Sequence, residues 1–401
     1  MEGDLMAADQ ATVESQRRAL VNRVAKRAWF DPEFRRLLFH NSAAALEHEF
    51  GEVPQLLTGV EFRATGVDRA YVRGKAGHRT FHVRPKRGDR PVSLVIRDFL
   101  GEREAVIVLY TKRCAYQCSF CTLPSVGSHS VVRLGEMAGQ LVKAREFVEA
   151  FGEPVSRVAL GNEGSLLDER TFPADQLRLT MNFAQALPGA REIIIETRPE
   201  FVDEATLARL RDWRGRCALS LKIGLESRDD HIREAILDKR MRLSDFESAV
   251  HRIATHGHSL ECYVLLKSHP GHTDEEARAE AISTCDYVKR LCAIAAVPLT
   301  LRINSMYMAK GSRWARLARQ SGWTPPSVFD IAEVMWAVRG TRVRVFAGVS
   351  EEGLSTADGH FESRADFEPW ALRSLESFNA AGRMEDLAKV ALHRSGPNYK
   401  R

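Results

Sequence analysis

The sequence predicts an α/β protein whose core is a (β/α)6 partial TIM barrel, preceded by a small helical/β domain and followed by a helix-rich extension. Three observations carry this. From residue 104 to 306, short β-branched apolar runs alternate with amphipathic helical ones, the pattern of right-handed βαβ units around a parallel sheet. Before residue 90 there are two helical runs and only short β-like stretches. Beyond the last alternating strand, helix-like runs dominate, with Pro325-Pro326 between them.

The elements follow in order. QRRALVNRVAKRAW (16–29) has apolar residues at helical spacing, and Asp31-Pro32 restarts a second run that Gly51 closes. GVEFRAT and RAYVRG read as short strands, and a basic connector from His82 to Pro91 carries the Pro and Gly of a linker. The domain boundary is set near residue 90, giving an N-terminal unit of 1–90, a barrel of 91–350 and a C-terminal extension of 351–401. Barrel strands are expected at EAVIVLY, RVAL, REIIIE, ALSLKIGLE, SLECYVLLK and PLTLRINSM, with RVRVFAG as an added edge strand. Helices are expected near 134–150, 175–187, 203–213, 229–255 and 273–292. In a barrel of this kind the chemistry belongs to the loops after the C-terminal strand ends.

Composition bounds the function. The 401 residues are 44% hydrophobic and 28% charged, and no apolar run approaches the roughly 20 residues that span a bilayer, so no membrane partner is expected. The N-terminus is polar rather than basic-then-apolar, which excludes a secretory signal and places the chain in the cytoplasm. Seven cysteines, three of them within eight residues, do not make a disulfide framework. A net charge of +5 is mildly basic and compatible with a nucleic-acid substrate without requiring one.

The first barrel strand runs into Cys114-x3-Cys118-x2-Cys121, with Phe120 just before the third cysteine. Thiolates are the usual ligands of iron-sulfur clusters, and three of them leave one iron of a 4Fe-4S cube open. A closed zinc site would need a fourth ligand, and His129 lies eight residues past Cys121. The other strand ends are also polar. Gly161-Asn162-Glu163-Gly164 follows the second, Glu196-Thr-Arg198 the third, and Gly224-Leu-Glu226 the fourth. Lys222 sits within the fourth strand, as a cofactor ligand or an inward ion-pair partner. Lys267 and His269 end the fifth, and Asn304 lies in the sixth. Cys217, Cys262, Cys285 and Cys292 read as small buried hydrophobes.

The cysteine motif resembles the signature of the radical S-adenosylmethionine (SAM) superfamily. That likeness implies a 4Fe-4S cluster on Cys114, Cys118 and Cys121, whose open iron is chelated by the amino and carboxylate groups of SAM. It further implies reductive cleavage to methionine and a 5'-deoxyadenosyl radical that abstracts hydrogen from substrate. A one-electron donor of flavodoxin or ferredoxin type is implied as partner. Gly161, Asn162, Glu163 and Gly164 resemble the superfamily's G-G-E turn, with Asn162 departing from it. With Phe120, Glu196, Lys222 and Glu226, they form the implied SAM-binding set. Arg198, Lys267, His269 and Asn304 are the substrate candidates.

G-N-E-G-S-L-L-D, E-T-R-P-E-F, G-L-E-S and Y-V-L-L-K resemble the Elongator and methylthiotransferase-like group, above all the family of the archaeosine synthase radical subunit, which acts on a modified deazaguanine in transfer RNA. The chain ends too soon for an Elongator acetyltransferase domain, and its first 113 residues have no cysteine for a methylthiotransferase's second cluster; neither activity is expected. A-W-F-D-P-E-F-R-R-L-L and N-S-A-A-A-L-E-H-E-F-G resemble nitrile-hydratase-like leader peptides, which implies a docking handle at the N-terminus. The preferred substrate is a small natural-product or nucleoside-type molecule, ahead of transfer RNA or a ribosomal peptide. A non-catalytic iron-sulfur or zinc protein is the alternative of another class.

Overall fold

Residues 93–109 form a β-hairpin, β4 (Ser93–Phe99) and β5 (Glu102–Leu109), whose first strand the sequence reading does not anticipate. Its two-residue turn has φ of 52° at Leu100 and 88° at Gly101, both positive, as a turn that matches strand twist requires. S-L-V-I-R-D-F hides this strand because its burial does not alternate. The structure is a computed structural model; it describes residues 41–57, 61–64, 69–74, 77–82, 88–121, 123–125, 127–309, 312–349 and 369–395, and isolated positions between 16 and 38. Most of the first expected helix, the middle of the basic connector, residues 350–368 and residues 396–401 lie outside the described residues.

At the N-terminus, α1 (Ser42–Phe50) is capped by the Asn41 side chain and ends at Gly51 with φ of 82°. Ala45 and Leu46 of α1 share a small apolar cluster with Val24, Phe34, Leu38 and Leu57. Strands β1 (Glu61–Ala64), β2 (Arg69–Gly74) and β3 (Gly77–His82) form an antiparallel meander.

The main sheet has eight strands in the order β11-β10-β9-β8-β7-β6-β5-β4. After β5 come β6 (Arg157–Asn162), β7 (Glu192–Thr197), β8 (Ala218–Glu226), β9 (Ser259–Leu266), β10 (Leu299–Ser305) and β11 (Val343–Gly348). All seven from β5 to β11 run parallel, and only β4 is antiparallel. The expected partial barrel is therefore present, with RVRVFAG as its seventh parallel strand.

Helices α2 (Leu134–Phe151), α3 (Ala174–Gln185), α4 (Glu204–Trp213), α5 (Leu243–Thr255) and α6 (Asp274–Ala295) connect the strands. Helix α5 buries Phe246, Ala249, Val250 and Ile253, the i, i+3, i+4, i+7 stripe of a helix lying on a sheet. Each larger side chain so buried contributes about 1.5–3 kcal/mol. One helix expected over 229–255 is instead broken. A single π-helical turn covers His231–Ile236, and α5 starts only at Leu243. Asp238 (φ 47°) and Arg240 (φ 51°) are left-handed and cannot continue a helix.

The C-terminal part adds α7 (Arg313–Gln320), α8 (Val328–Val338), α9 (Pro369–Ala381) and α10 (Met384–Ala391). Helix α9 laces the two edges of the sheet together. The Asn379 side chain accepts from the Ala347 N–H at 2.9 Å and donates to its carbonyl at 2.7 Å, covering the β11 edge. The backbone carbonyl of Asn379 accepts from Leu100 N–H at 2.6 Å, at the β4–β5 turn. Phe99 stacks on Phe346 with centroids 4.7 Å apart, and Arg344 pairs with Glu102 at 2.8 Å. Among the described residues no helix is long and apolar enough to cross a membrane.

Charged side chains fill the inside near the N-terminal ends of β5–β7. Arg157, 1% exposed, pairs with Glu104 at 3.3 Å and with Glu192 and Glu261. Arg97 also pairs with Glu104, and Arg302 lies 3.4 Å from Glu261. Burial pushes the Glu104 carboxyl up, yet Arg97, Lys222, Arg157 and Arg302 together hold it far below the usual carboxylate range.

Candidate active site at the cysteine loop

β5 delivers the cysteine loop to the C-terminal end of the barrel, and backbone pairing then holds it. The Ser128 N–H donates to the Thr111 carbonyl at 2.8 Å, and the Arg113 N–H to Ser128 at 2.9 Å. Thr111 is held in turn by Glu163, whose Oε2 accepts from its N–H at 2.9 Å and its hydroxyl at 3.1 Å. Burial pushes the Glu163 carboxyl up to about 8.

The expected SAM-binding turn packs directly on the first cysteine. A Cβ at Gly164 would lie 3.2 Å from that of Cys114, so glycine is what allows the turn after β6 to approach so closely. Asn162 Oδ1 accepts from Gly164 N–H at 3.0 Å. Asn162 Nδ2 and Glu163 Oε1 are buried with no partner in the protein, a costly state unless a ligand or water supplies one.

Cys114, Cys118 and Cys121 are partly buried and free of disulfides. Burial pushes the Cys114 thiol up, and burial with Cys118 beside it pushes Cys121 up to about 12. Thiols in this state release their protons to a metal. Among the described residues no three His, Cys, Asp or Glu side chains converge on a single metal ion; a cubic cluster takes its three thiolates on three different irons and needs no such convergence. Three free thiols on one loop, beside orphaned donor and acceptor atoms, fit a 4Fe-4S cluster with one open iron.

The β8 end supplies the next wall. Glu226 has φ of 68° and follows a bulge in the β8–β9 pairing; such strain in a non-glycine residue costs about 1–3 kcal/mol and collects at functional sites. Its carboxylate folds back over Gly224, where any Cβ would collide with it. Lys239 donates to Glu226 Oε1 at 2.9 Å and lies 5.9 Å from the Phe120 ring centroid. Although burial pulls the Lys239 ammonium down, Glu226 and Cys118 raise it. Lys239, absent from the sequence expectations, thus joins Phe120, Glu226 and the cysteines in one cluster. Its only signal was Asp238, a residue type that tolerates the left-handed turn.

The other expected residues are placed as follows. Glu196 stands beside Gly161, with Oε2 3.5 Å from where a Cβ there would be. Lys222 is 2% exposed and lies 5.7 Å from the Tyr263 ring centroid, and its charge helps to hold the Glu104 carboxyl down. Lys267 is buried and donates to Asp274 at 2.7 Å. His269 is half-buried and stacks on His272 at 4.3 Å, and burial followed by His272 and His231 lowers its pKa. Asn304 leans onto Gly348. Arg198 is buried against Tyr116. Lys267 and Arg198, both substrate candidates, also have partners within the protein.

No family model matches the chain. An uncharacterised protein of Methanocaldococcus jannaschii is 23% identical over 276 residues, 66% of this chain and 72% of that protein. Archaeosine synthase subunit beta of Methanosarcina acetivorans is 25% identical over 219 residues, 54% of this chain, and the match spans only 60% of that protein's length. Among solved structures, methylornithine synthase aligns with a TM-score of 0.41 at 16% identity, over 63% of this chain and 72% of that one. The chain is similar in sequence to archaeosine synthase subunit beta, and its fold is the parallel partial barrel that the sequence predicted.

Proposed function

We propose that the protein is a radical SAM enzyme acting on a small natural-product or nucleoside-type molecule. The observation that carries the reading is the grouping of three free thiols with the unpartnered Asn162 Nδ2 and Glu163 Oε1 at the strand ends. Cys114, Cys118 and Cys121 would hold the cluster. When bound, a 4Fe-4S cluster with an open iron would supply the electron that cleaves SAM. The chain's own residues do the rest. Glu163 fixes Thr111 and hence the start of the cysteine loop, Gly164 lets the turn after β6 close on Cys114, and Lys239 with Glu226 sets a paired charge beside the thiols. Phe120, Glu196, Asn304 and Gly161 are proposed to line the approach.

Seven free cysteines support a reducing compartment, the cytoplasm, and a flavodoxin- or ferredoxin-type donor is the partner proposed. Residues 1–90 are proposed as a docking or covering unit. The likeness to archaeosine synthase subunit beta favours a second reading, in which the nucleoside sits within an RNA. The test is anaerobic reconstitution with iron and sulfide. About four irons per chain and 5'-deoxyadenosine on reduction with SAM support the reading; bound zinc with neither sinks it.

A further inference from the structure

Three segments meet at Arg198, the residue after β7. Its guanidinium carbon lies 3.7 Å from the centroid of the Tyr116 ring on the cysteine loop. Nε donates to Glu200 at 2.5 Å, and Nη2 donates to the carbonyls of Lys239 and Arg240 at 2.9 and 3.0 Å. Arginine suits this task because its planar fork can stack and donate at once, which lysine cannot do.

The loop it grips is under strain. Lys239 is flanked by two left-handed residues, Asp238 and Arg240, with no glycine to relieve them, and such backbone persists only where its surroundings over-determine it. Arg233 holds the loop from the other side, donating to Met241, Ser227 and Arg228 carbonyls at 2.8, 3.2 and 3.1 Å. All of those lie on its own β8–α5 stretch. Ser119 adds a backbone link, its N–H donating to the Leu237 carbonyl at 2.8 Å and its hydroxyl to Ile236 at 2.6 Å. Arg198 joins both sides: through Tyr116 it touches the cysteine loop, and through two carbonyls it fixes the peptide that carries Lys239.

We propose that Arg198 is a positioning residue rather than a substrate contact. It locks residues 237–242 against the cysteine loop, so that the Lys239 ammonium stays beside Cys118 and Cys121. This rests on the reading of those cysteines as cluster ligands. A cation held there stabilises the extra electron of a reduced cluster, because net charge and surroundings set such potentials. Releasing the loop therefore makes the cluster harder to reduce.

The test uses Arg198→Lys, which keeps the charge but loses the flat stack and the fork, and Tyr116→Leu, which removes the stack from the other side. In the iron-free chain, amide hydrogen exchange of 237–242 and 114–119 is expected to rise at least about tenfold in each variant, with the remaining barrel unchanged. The double variant should cost clearly less than the sum of its parts, since each single variant already removes the Arg198–Tyr116 stack. In the iron-loaded protein the midpoint potential, read by redox titration of the cluster's spin signal, should move to a more negative value.

Exchange at wild-type rates in both variants overturns the proposal. Faster exchange with an unchanged potential also overturns it, because Arg198 would then be a brace without influence on the cysteines. If Arg198→Lys does not fold, Tyr116→Leu carries the same measurements. A wild-type chain that takes up no iron defeats the cluster reading instead, while the exchange result still decides whether Arg198 holds the loop.

Discussion

Near the N-terminal ends of β5–β7, Arg157 is surrounded by Glu104, Glu192 and Glu261. At the C-terminal ends of the barrel strands, Asn162 Nδ2 and Glu163 Oε1 are buried without partners, three thiols are free, and Glu226 and Lys267 hold left-handed backbone. Both regions are polar interiors of one barrel, but one is self-satisfied and the other is not. Buried charge matched by buried countercharge is how a protein closes a space. Buried polar atoms left unmatched, on strained backbone, mark a space built for something else.

The difference can be broken by mutation, most strongly on the self-satisfied side. Arg157→Leu leaves three carboxylates beside an apolar group and should cost about 3–5 kcal/mol in urea unfolding. A loss below about 1 kcal/mol would mean that Arg157 is not what neutralises those carboxylates.

At the mouth the effects are smaller and more local. Gly224→Ala drives a methyl into the Glu226 carboxylate and should cost about 1–3 kcal/mol. The same substitution in a Glu226→Ala background should cost clearly less, because the colliding group is gone. Equal costs in both backgrounds would refute the contact.

Glu163 sharpens the comparison through pH. Its carboxyl, pushed up to about 8 by burial, keeps in the fold a proton that the unfolded chain gives up. Stability should therefore fall as pH rises from about 4.5 towards 8. Glu163→Gln keeps an acceptor for Thr111 and removes the titration, so at pH 8 it should melt a few degrees higher than wild type and show a flatter pH profile. An unchanged profile would mean the carboxyl ionises freely in the fold.

The smallest stability effect is expected at the cysteines. Cys118→Ala should alter the iron-free chain by no more than about 1 kcal/mol, since no ion pair or core packing depends on it.

Much of this was legible in the sequence, for identifiable reasons. The parallel strands are dense β-branched runs, and the cysteines and the G-N-E-G turn are contiguous, so spacing alone brings them to strand ends. Lys239 was not legible, because the helical pattern runs through 229–255 and the break depends on left-handed φ in Asp238 and Arg240 without Gly or Pro. β4 was missed because its partner is set by a Leu100-Gly101 turn rather than by its own alternation. Arg198 was placed at its strand end, but its partners were not legible, since only the fold brings Tyr116 and residues 239–240 to it.

The unsatisfied mouth is proposed to hold an iron-sulfur cluster on Cys114, Cys118 and Cys121. Iron content and SAM cleavage, measured side by side for wild type and Cys118→Ala after anaerobic reconstitution, test it most directly. Wild type should carry about four irons per chain and release 5'-deoxyadenosine on reduction, and the variant should do neither while remaining folded. Reductive cleavage that survives in Cys118→Ala, or a wild-type chain that binds zinc in place of iron, would contradict it.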